Sequence, residues 1–417
     1  MNLTTPPMSD AVDFKGLAWE RKMATLSVCM IVKDEARALG KALASVAHAD
    51  EIIVVDTGST DGTQAIARDF GAQVHEHPWP GDFAAARNLS LSHATQEWVL
   101  VLDGDEELAP GTVERIKRFL ASADKAVFSL NVTSDMGNDT AIAHLTPRLF
   151  PREGTSYSGA IHETPTGWPA VILSDVTIQH SGYRPEVIAQ KGKNDRNFGM
   201  IQALVDQQPH NPQAHLYLAT AHQTAGQHAQ AVTHYRMALH LSPLVGLEAE
   251  GVRQQAIANL VTVLGILGLH DEADVEARLA LRQGAVTHPS FWFSHGNNLN
   301  QLGAFHEALA AFAMCLAHRD NKDAQQVDLG VLTWMPWAGM GLAWATLGEN
   351  TMAVECFDKA LAHDMGAERP KILAARDETL GRLQTCREAD PTSPHLDLGN
   401  GPVADATVKR HERNPDV

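Results

Sequence analysis

The chain has 417 residues, too many for one ordinary domain, and 44% of them are hydrophobic, enough to build real cores. Lys and Arg number 33 against 50 Asp and Glu, a formal net charge of −17. That balance argues against nucleic-acid binding, which needs a basic face, but leaves room for one local cationic pocket.

The first 24 residues are polar and predict a flexible segment. Leu26–Val32 is then an almost unbroken apolar run, the pattern of a strand covered on both faces. Leu39, Leu43, Val46 and Ala47 fall on one helical stripe. Ile52–Val55 is a second buried strand, followed by the turn residues Thr57-Gly-Ser-Thr-Asp-Gly62, where a Ser or Thr can cap a helix starting near Thr63. Gln73–His75 gives a short strand, Ala84–Ala94 a helix, and Trp98–Leu102 a fourth strand. Alternation of this length predicts a mostly parallel, Rossmann-like α/β sheet. Shorter strands follow at Ala126–Val132, Thr146–Phe150 and Val176–His180.

From about Tyr183 the pattern is entirely helical, with a connecting helix over 184–210 and repeats over 211–388. Gly226, Ala231, Tyr235, Ala238 and Pro243 set a spacing of 5, 4, 3 and 5. Gly303, Ala308, Phe312 and Cys315 repeat its first three intervals, as do Gly348, Ala353, Phe357 and Ala360; Gly268, Ala273, Ala277 and Ala280 are a weaker copy. Small residues recur where helices cross closely and an aromatic fills the adjacent hole. The pattern resembles the tetratricopeptide repeat, a helix-turn-helix unit that stacks into a solenoid. Copies start 42, 35 and 45 residues apart, so insertions are expected. Residues 389–417 are rich in Pro, Asp and Gly and read as a disordered tail.

Cys29, Cys315, Cys356 and Cys386 are scattered without metal-like spacing, which favours a reducing compartment. No apolar run reaches the ~18 residues of a transmembrane helix. The start MNLTTPPMSDAVDF is neither a signal peptide nor a basic presequence, so the cytoplasm is the expected location.

In open parallel sheets, ligands sit beyond the carboxyl ends of the strands. Lys33-Asp-Glu35 follows the first strand, Asp56 and its Gly-rich turn the second, and Asp103-Gly-Asp105 the fourth. Two spaced carboxylates at a strand end suit a hard divalent cation shared with phosphates. Gly104 lets backbone approach a ligand closely. Alone, the motif also fits a solvated acidic turn, since Glu106 and Glu107 follow. Asp56 fits a capping turn residue as well as an acceptor for the ring N–H of uracil.

The segments Leu26–Glu35, Ile52–Thr63, Asp82-Phe-Ala-Ala-Ala-Arg-Asn88 and Trp98–Glu106 together resemble family 2 glycosyltransferases of the GT-A fold, in order and spacing over about 150 residues. The branch with C-terminal tetratricopeptide repeats includes transferases that modify bacteriocin peptides; lipopolysaccharide-core transferases share similar motifs. The resemblance implies a nucleotide-diphosphate sugar donor, UDP by family habit, with Mn²⁺ or Mg²⁺ and an inverting displacement. Val32, Lys33, Glu35 and Asp56 would frame the nucleoside with Ser59 and Asp61 in the same turn. Arg87 would lie near the nucleotide. Asp103, Gly104 and Asp105 would hold metal and donor, with Asp105 the more direct ligand.

An inverting transferase also needs a base on the acceptor side. The piece Gly159-Ala-Ile-His-Glu163 resembles the acceptor loop of this branch, which makes Glu163 the expected base and His162 a metal or acceptor contact. A late histidine often reaches the metal in this fold, and His180 ends a later strand. Lys191, Lys193 and Arg196 are placed to reach the diphosphate or to line a solvated helix face. The repeats offer a concave surface for a peptide or protein acceptor, against a glycan acceptor, simple bracing, or a homodimer. A catalytically silent repeat scaffold is the competing reading. A nucleotidyltransferase would need a Gly-rich phosphate loop with Lys or Arg near the first strand, which this sequence lacks.

Overall fold

A computed structural model describes residues 23–137, 140–168, 171–181, 193–321 and 327–389. The N-terminal part contains β1 (Leu26–Val32), α1 (Leu39–Ser45), β2 (Glu51–Asp56), α2 (Thr63–Asp69), β3 (Gln73–Glu76), α3 (Phe83–His93), β4 (Trp98–Val101), β5 (Glu106–Leu108) and α4 (Thr112–Leu120). After α4 come β6 (Val127–Gly137), β7 (Thr140–Pro151), β8 (Ser156–Ser158), β9 (Thr164–Thr166) and β10 (Val171–His180).

The main sheet runs β3-β2-β1-β4-β7-β6-β10-β5. Its first four strands are parallel, as the alternating pattern predicted. β7 then pairs antiparallel with β4, β6 antiparallel with β7, and β10 parallel with β6, so the sheet is mixed. β1 and β4 are the centre, which is why they read as unbroken apolar runs: Leu26, Val28, Met30, Trp98 and Leu100 point into one core and Cys29, Val99 and Val101 into the core on the other face.

One expected cap is replaced. α2 is preceded by Gly62 at φ 94° with no side-chain cap. The hydroxyls available for capping are used elsewhere: Ser59 Oγ accepts from Asp34 N at 2.8 Å and Thr63 Oγ1 from Glu35 N at 2.8 Å. Local propensity yields here to the need to fasten the loop after β1.

The C-terminal part begins with α5 (Lys193–Gln207), inside the connecting segment expected over 184–210. Helix pairs follow: α6 (Pro212–Thr224) with α7 (His228–Val245), α8 (Glu250–Ile266) with α9 (His270–Gln283), and α10 (Pro289–Gln301) with α11 (Phe305–Ala317). After β11 (Val327–Asp328) and α12 (Leu329–Leu332) come α13 (Met335–Thr346), α14 (Asn350–Leu361) and the closing helix α15 (Arg369–Ala389). Gly226, Gly268, Gly303 and Gly348 sit between the helices of a pair, each at φ of +73° to +85°, which only glycine adopts readily. The small-residue reading is literal. A Cβ on Gly296 would come within 2.7 Å of the Phe312 ring, and one on Gly341 within 2.5 Å of Phe357. Cross-repeat ion pairs, Arg236 with Glu272 and Glu276, and Arg278 with Glu307, join successive second helices.

The two parts share structure. The insertion after α11 returns to the sheet, where Val327 pairs antiparallel with Ala143 of β7. Ile161 of the loop after β8 packs in one cluster with Ile201 and Val205 of α5 and Ala214 and Leu218 of α6. Among the described residues no helix is long and apolar enough to cross a membrane. The tail expected to be disordered lies outside the described residues from 390 on.

Candidate active site

The carboxyl ends of β1, β2 and β4 meet as the topology requires. Val32 is buried at the end of β1, Lys33 is exposed beside it, and Glu35 is buried. Asp34 takes φ 53°, a left-handed conformation that Asp tolerates. Its Oδ1 accepts from Thr60 N, while Asp61 Oδ2 accepts from Ala36 N at 2.9 Å. Ser59 and Asp61 therefore lock the β1 and β2 loops together. Gly104 makes the third contact: a Cβ there would lie 3.0 Å from Glu35 Cγ and 3.2 Å from Val32 Cγ1.

Asp56 is 1% exposed. Its Oδ1 accepts from Gly58 N, Ser59 N and Gln64 Nε2 at 2.9–3.0 Å, while its buried Oδ2 has no partner. Burial acts to raise this carboxyl, but the hydrogen bonds outweigh burial and hold it below its ordinary value. The group is a charged acceptor with one oxygen uncommitted.

Arg87, on the face of α3 turned to the sheet, is the hub. Its Nη2 donates to Asp103 Oδ1 at 2.7 Å and its Nε to Glu163 Oε1 at 3.0 Å. Arg148 of β7 donates from Nη2 to Asp103 Oδ2 at 3.1 Å and to Glu106 Oε1 at 3.0 Å. Glu106 Oε2 in turn accepts from Asp103 N at 2.8 Å. Burial would raise the Asp103 carboxyl, but the two guanidiniums hold it well below the usual carboxylate range. Burial does win at Glu106, whose carboxyl is raised despite Arg148. Two polar atoms of the arginines, Arg87 Nη1 and Arg148 Nε, are buried without a partner.

Asp105 lies beside this network and faces β10. Its Oδ1 is 3.2 Å from His180 Nε2, and His180 Nδ1 is 3.2 Å from Ser134 Oγ. Burial lowers the His180 pKa, but the hydrogen bond and charge of Asp105 outweigh it and raise the imidazole above its ordinary value. Ser181 N and Oγ both donate to Asp105 O at 3.1 Å. Among the described residues no group of three or more His, Cys, Asp or Glu side chains converges as a metal cage. Asp105 and His180 supply one carboxylate and one imidazole. That pair is a partial donor set for a divalent cation, short of a complete cage. Asp103 stands differently, with both oxygens on arginines.

Glu163 and His162 lie on the loop between β8 and β9. His162 takes φ 54° and stacks on Tyr217 of α6, ring centroids 3.7 Å apart. Asn88 holds the strand before this loop, donating from Nδ2 to Tyr157 O at 2.9 Å and accepting from Tyr157 N at 2.7 Å. Arg196 lies with its guanidinium over Trp79 and Phe83, 5.3 and 5.2 Å from their centroids. Lys191 lies outside the described residues; Lys193 begins α5.

Residues 27–181 match the family described as Glycosyl transferase family 2. This segment is a family 2 glycosyltransferase domain. A TPR repeat-containing protein of Synechococcus elongatus is 34% identical over 191 residues, 42% of this chain and 46% of that protein. Glycosyltransferase SunS of Bacillus phage SPbeta is 29% identical over 202 residues, 45% of this chain and 47% of that one. The chain thus spans about half the length of the curated relatives it matches. Among solved structures, the TPR protein YrrB is 17% identical at a TM-score of 0.32, covering 48% of this chain and 88% of that one. The glucosyl-3-phosphoglycerate synthase of Mycobacterium tuberculosis, solved with Mn²⁺, UDP and its product, is 25% identical at a TM-score of 0.23, covering 27% of this chain and 44% of that one.

Within the family 2 domain, the sequence reading gave no site role to Arg148, Glu106, Asn88 or Ser134. Arg148 carried a signal: a charged residue between apolar ones in a strand next to the centre of the sheet must find buried partners. Tyr217 carried none, because nothing in a solenoid repeat marks which helix meets the catalytic domain.

Proposed function

We propose that the chain is an inverting, metal-dependent glycosyltransferase that moves a sugar from a nucleotide-diphosphate sugar, UDP-linked, to a peptide, protein or glycan acceptor. The observation that carries this reading is Arg87. One guanidinium joins Asp103 of the donor motif to Glu163 of the acceptor loop, residues far apart in sequence. A sugar held between them has a donor side and a base side in one site.

The partnerless Oδ2 of Asp56 supports a uracil base, whose ring N–H it would accept. Arg87 Nη1 and Arg148 Nε are donors left over for an anionic ligand. Asp105 and His180 would hold the cation, which when bound neutralises charge building on the leaving diphosphate. The acceptor's nucleophilic atom attacks the anomeric carbon from the face opposite the diphosphate. The bond from that carbon to the phosphate oxygen breaks, and its electron pair leaves with the nucleotide diphosphate. Glu163 takes the acceptor's proton on the oxygen that Arg87 does not occupy. His162 lines the acceptor side, and the concave face of the repeats favours an extended peptide over a compact glycan. Cys29, Cys315 and Cys356 are free and buried, which fits a reducing, cytoplasmic setting.

The test is a thermal-shift panel of nucleotide sugars with and without Mn²⁺. One UDP-sugar should raise Tm only with the metal, and Asp105→Ala should abolish both the shift and UDP release. No shift with any nucleotide sugar, under either condition, would sink the reading.

A further inference from the structure

The loop carrying Glu163 is held from two sides. From the family 2 domain, Phe83 N donates to Ala160 O at 2.8 Å and Arg87 grips Glu163. From the helical part, Ile161 is buried against α5 and α6. Ala214, Tyr217, Leu218 and Ala221 recur at helical spacing, so α6 presents one stripe to this loop and to α5. Its opposite face, with Leu216 and Ala219, packs into the first repeat core.

His162 is the one residue of this loop other than glycine with a left-handed backbone. That conformation costs an L-residue on the order of 1–2 kcal/mol and persists only when its surroundings impose it. The His162 ring stacks face to face on Tyr217, 20° from parallel. The next residue is Glu163. Burial raises the Tyr217 hydroxyl, with the charge of Glu163 adding to it, so the ring also lies within reach of that carboxylate's field.

We propose that Tyr217, contributed by the repeats, is a positioning residue for sugar transfer: its ring, stacked on His162, fixes the left-handed turn that presents the Glu163 carboxylate. The inference rests on the proposed reading of Glu163 as base. It makes the first repeat helix part of the catalytic unit, beyond the boundary at which the family 2 domain ends.

The experiment uses the full chain, Mn²⁺ and the UDP-sugar selected by thermal shift, reading UDP release with water as acceptor. Tyr217→Leu keeps the apolar packing and removes the stack. It should lower kcat about 10- to 100-fold, the scale of a misplaced catalytic group, with the donor KM and Tm nearly unchanged. Tyr217→Phe keeps the stack and should retain the wild-type kcat. Three results overturn the proposal: wild-type kcat in Tyr217→Leu, a rise in KM that accounts for the whole loss, or an equal loss in Tyr217→Phe. If Tyr217→Leu does not fold, Tyr217→Met removes the same stack with an adaptable apolar side chain and must show the same kcat loss. Failure of the wild type to bind any donor would instead remove the underlying reading.

Discussion

At the amino-terminal edge of the sheet, Glu51 is buried and its two oxygens accept from Ser27 Oγ, Thr95 N, Thr95 Oγ1 and Gln73 Nε2 at 2.6–3.1 Å. Beside it, Asp50 accepts from Leu26 N and from Lys117 Nζ. At the carboxyl edge, Asp56 is buried, Glu163 nearly so and Asp103 partly exposed, yet Asp56 Oδ2, Arg87 Nη1 and Arg148 Nε have no partner. The same chemistry thus serves two ends. The first is closed, with every oxygen of Glu51 satisfied by neutral donors that sew strands together. The second is held by paired charges and keeps polar atoms in reserve. Burying an unpaired polar atom costs about 1–3 kcal/mol, so a cluster of them at one edge marks a place built for something other than stability.

The sharpest way to break the contrast is Arg87→Met. It leaves Asp103 facing Arg148 alone and Glu163 without its guanidinium. Removing one partner from a buried charge network costs about 3–5 kcal/mol. Urea denaturation should show a loss of that size, and UDP release should fall roughly 100-fold or more. Adding Asp103→Asn to Arg87→Met should recover part of the stability and none of the activity. If the single variant is as stable as wild type, the carboxyl edge is not a charge network under tension.

The sequence made much of this edge legible because topology does the placing. Strands with runs such as Cys29-Met-Ile-Val32 must be central, parallel strands must end on one side, and so Glu35, Asp56 and Asp103 had to be neighbours. Arg87 and Glu163 were legible only through family resemblance, since no periodicity predicts a salt bridge across 76 residues. The division of labour inside Asp103-Gly-Asp105 was not legible. Two residues apart on a continuing strand would share a face, but β4 ends at Val101 and the chain turns before β5, so Asp103 meets Arg148 of β7 while Asp105 meets His180 of β10. The repeat register was readable from glycine and aromatic spacing, because close helix crossing is a local steric demand. The return of Val327 to pair with β7 was not, because a two-residue strand leaves no pattern.

A smaller effect tests how tightly the open edge is assembled. In Gly104→Ala the added methyl meets Glu35 Cγ at 3.0 Å and Val32 Cγ1 at 3.2 Å. Overpacking of this kind costs about 1–3 kcal/mol, and here the strain falls on the loop proposed to frame the nucleoside. Donor affinity should therefore fall by more than the loss of Tm alone would suggest, measured by titration calorimetry with Mn²⁺ present. Unchanged affinity would mean that the β1 and β4 ends need not touch for the nucleotide to bind.

The closed edge gives the smallest effect and the cleanest control. Glu51→Gln keeps the shape, but an amide cannot accept from Ser27, Thr95 and Gln73 together, so a buried donor loses its partner at about 2 kcal/mol. Donor binding and UDP release should not change, because this edge takes no part in the site. The pH dependence follows from the direction of the shift. Burial works to raise the Glu51 carboxyl, but the hydrogen bonds from Ser27, Thr95 and Gln73 win and set it below its ordinary value of 4.5. A carboxyl lowered by folding contributes stability that is fully present above its unfolded value and is lost as the pH falls through its folded one. Wild type should accordingly exceed Glu51→Gln in denaturant midpoint at neutral pH, and the gap should close as the pH drops below 4.5. A gap that is constant with pH would assign the loss to packing, and the two edges would then differ in partners without differing in the electrostatics that separates them here.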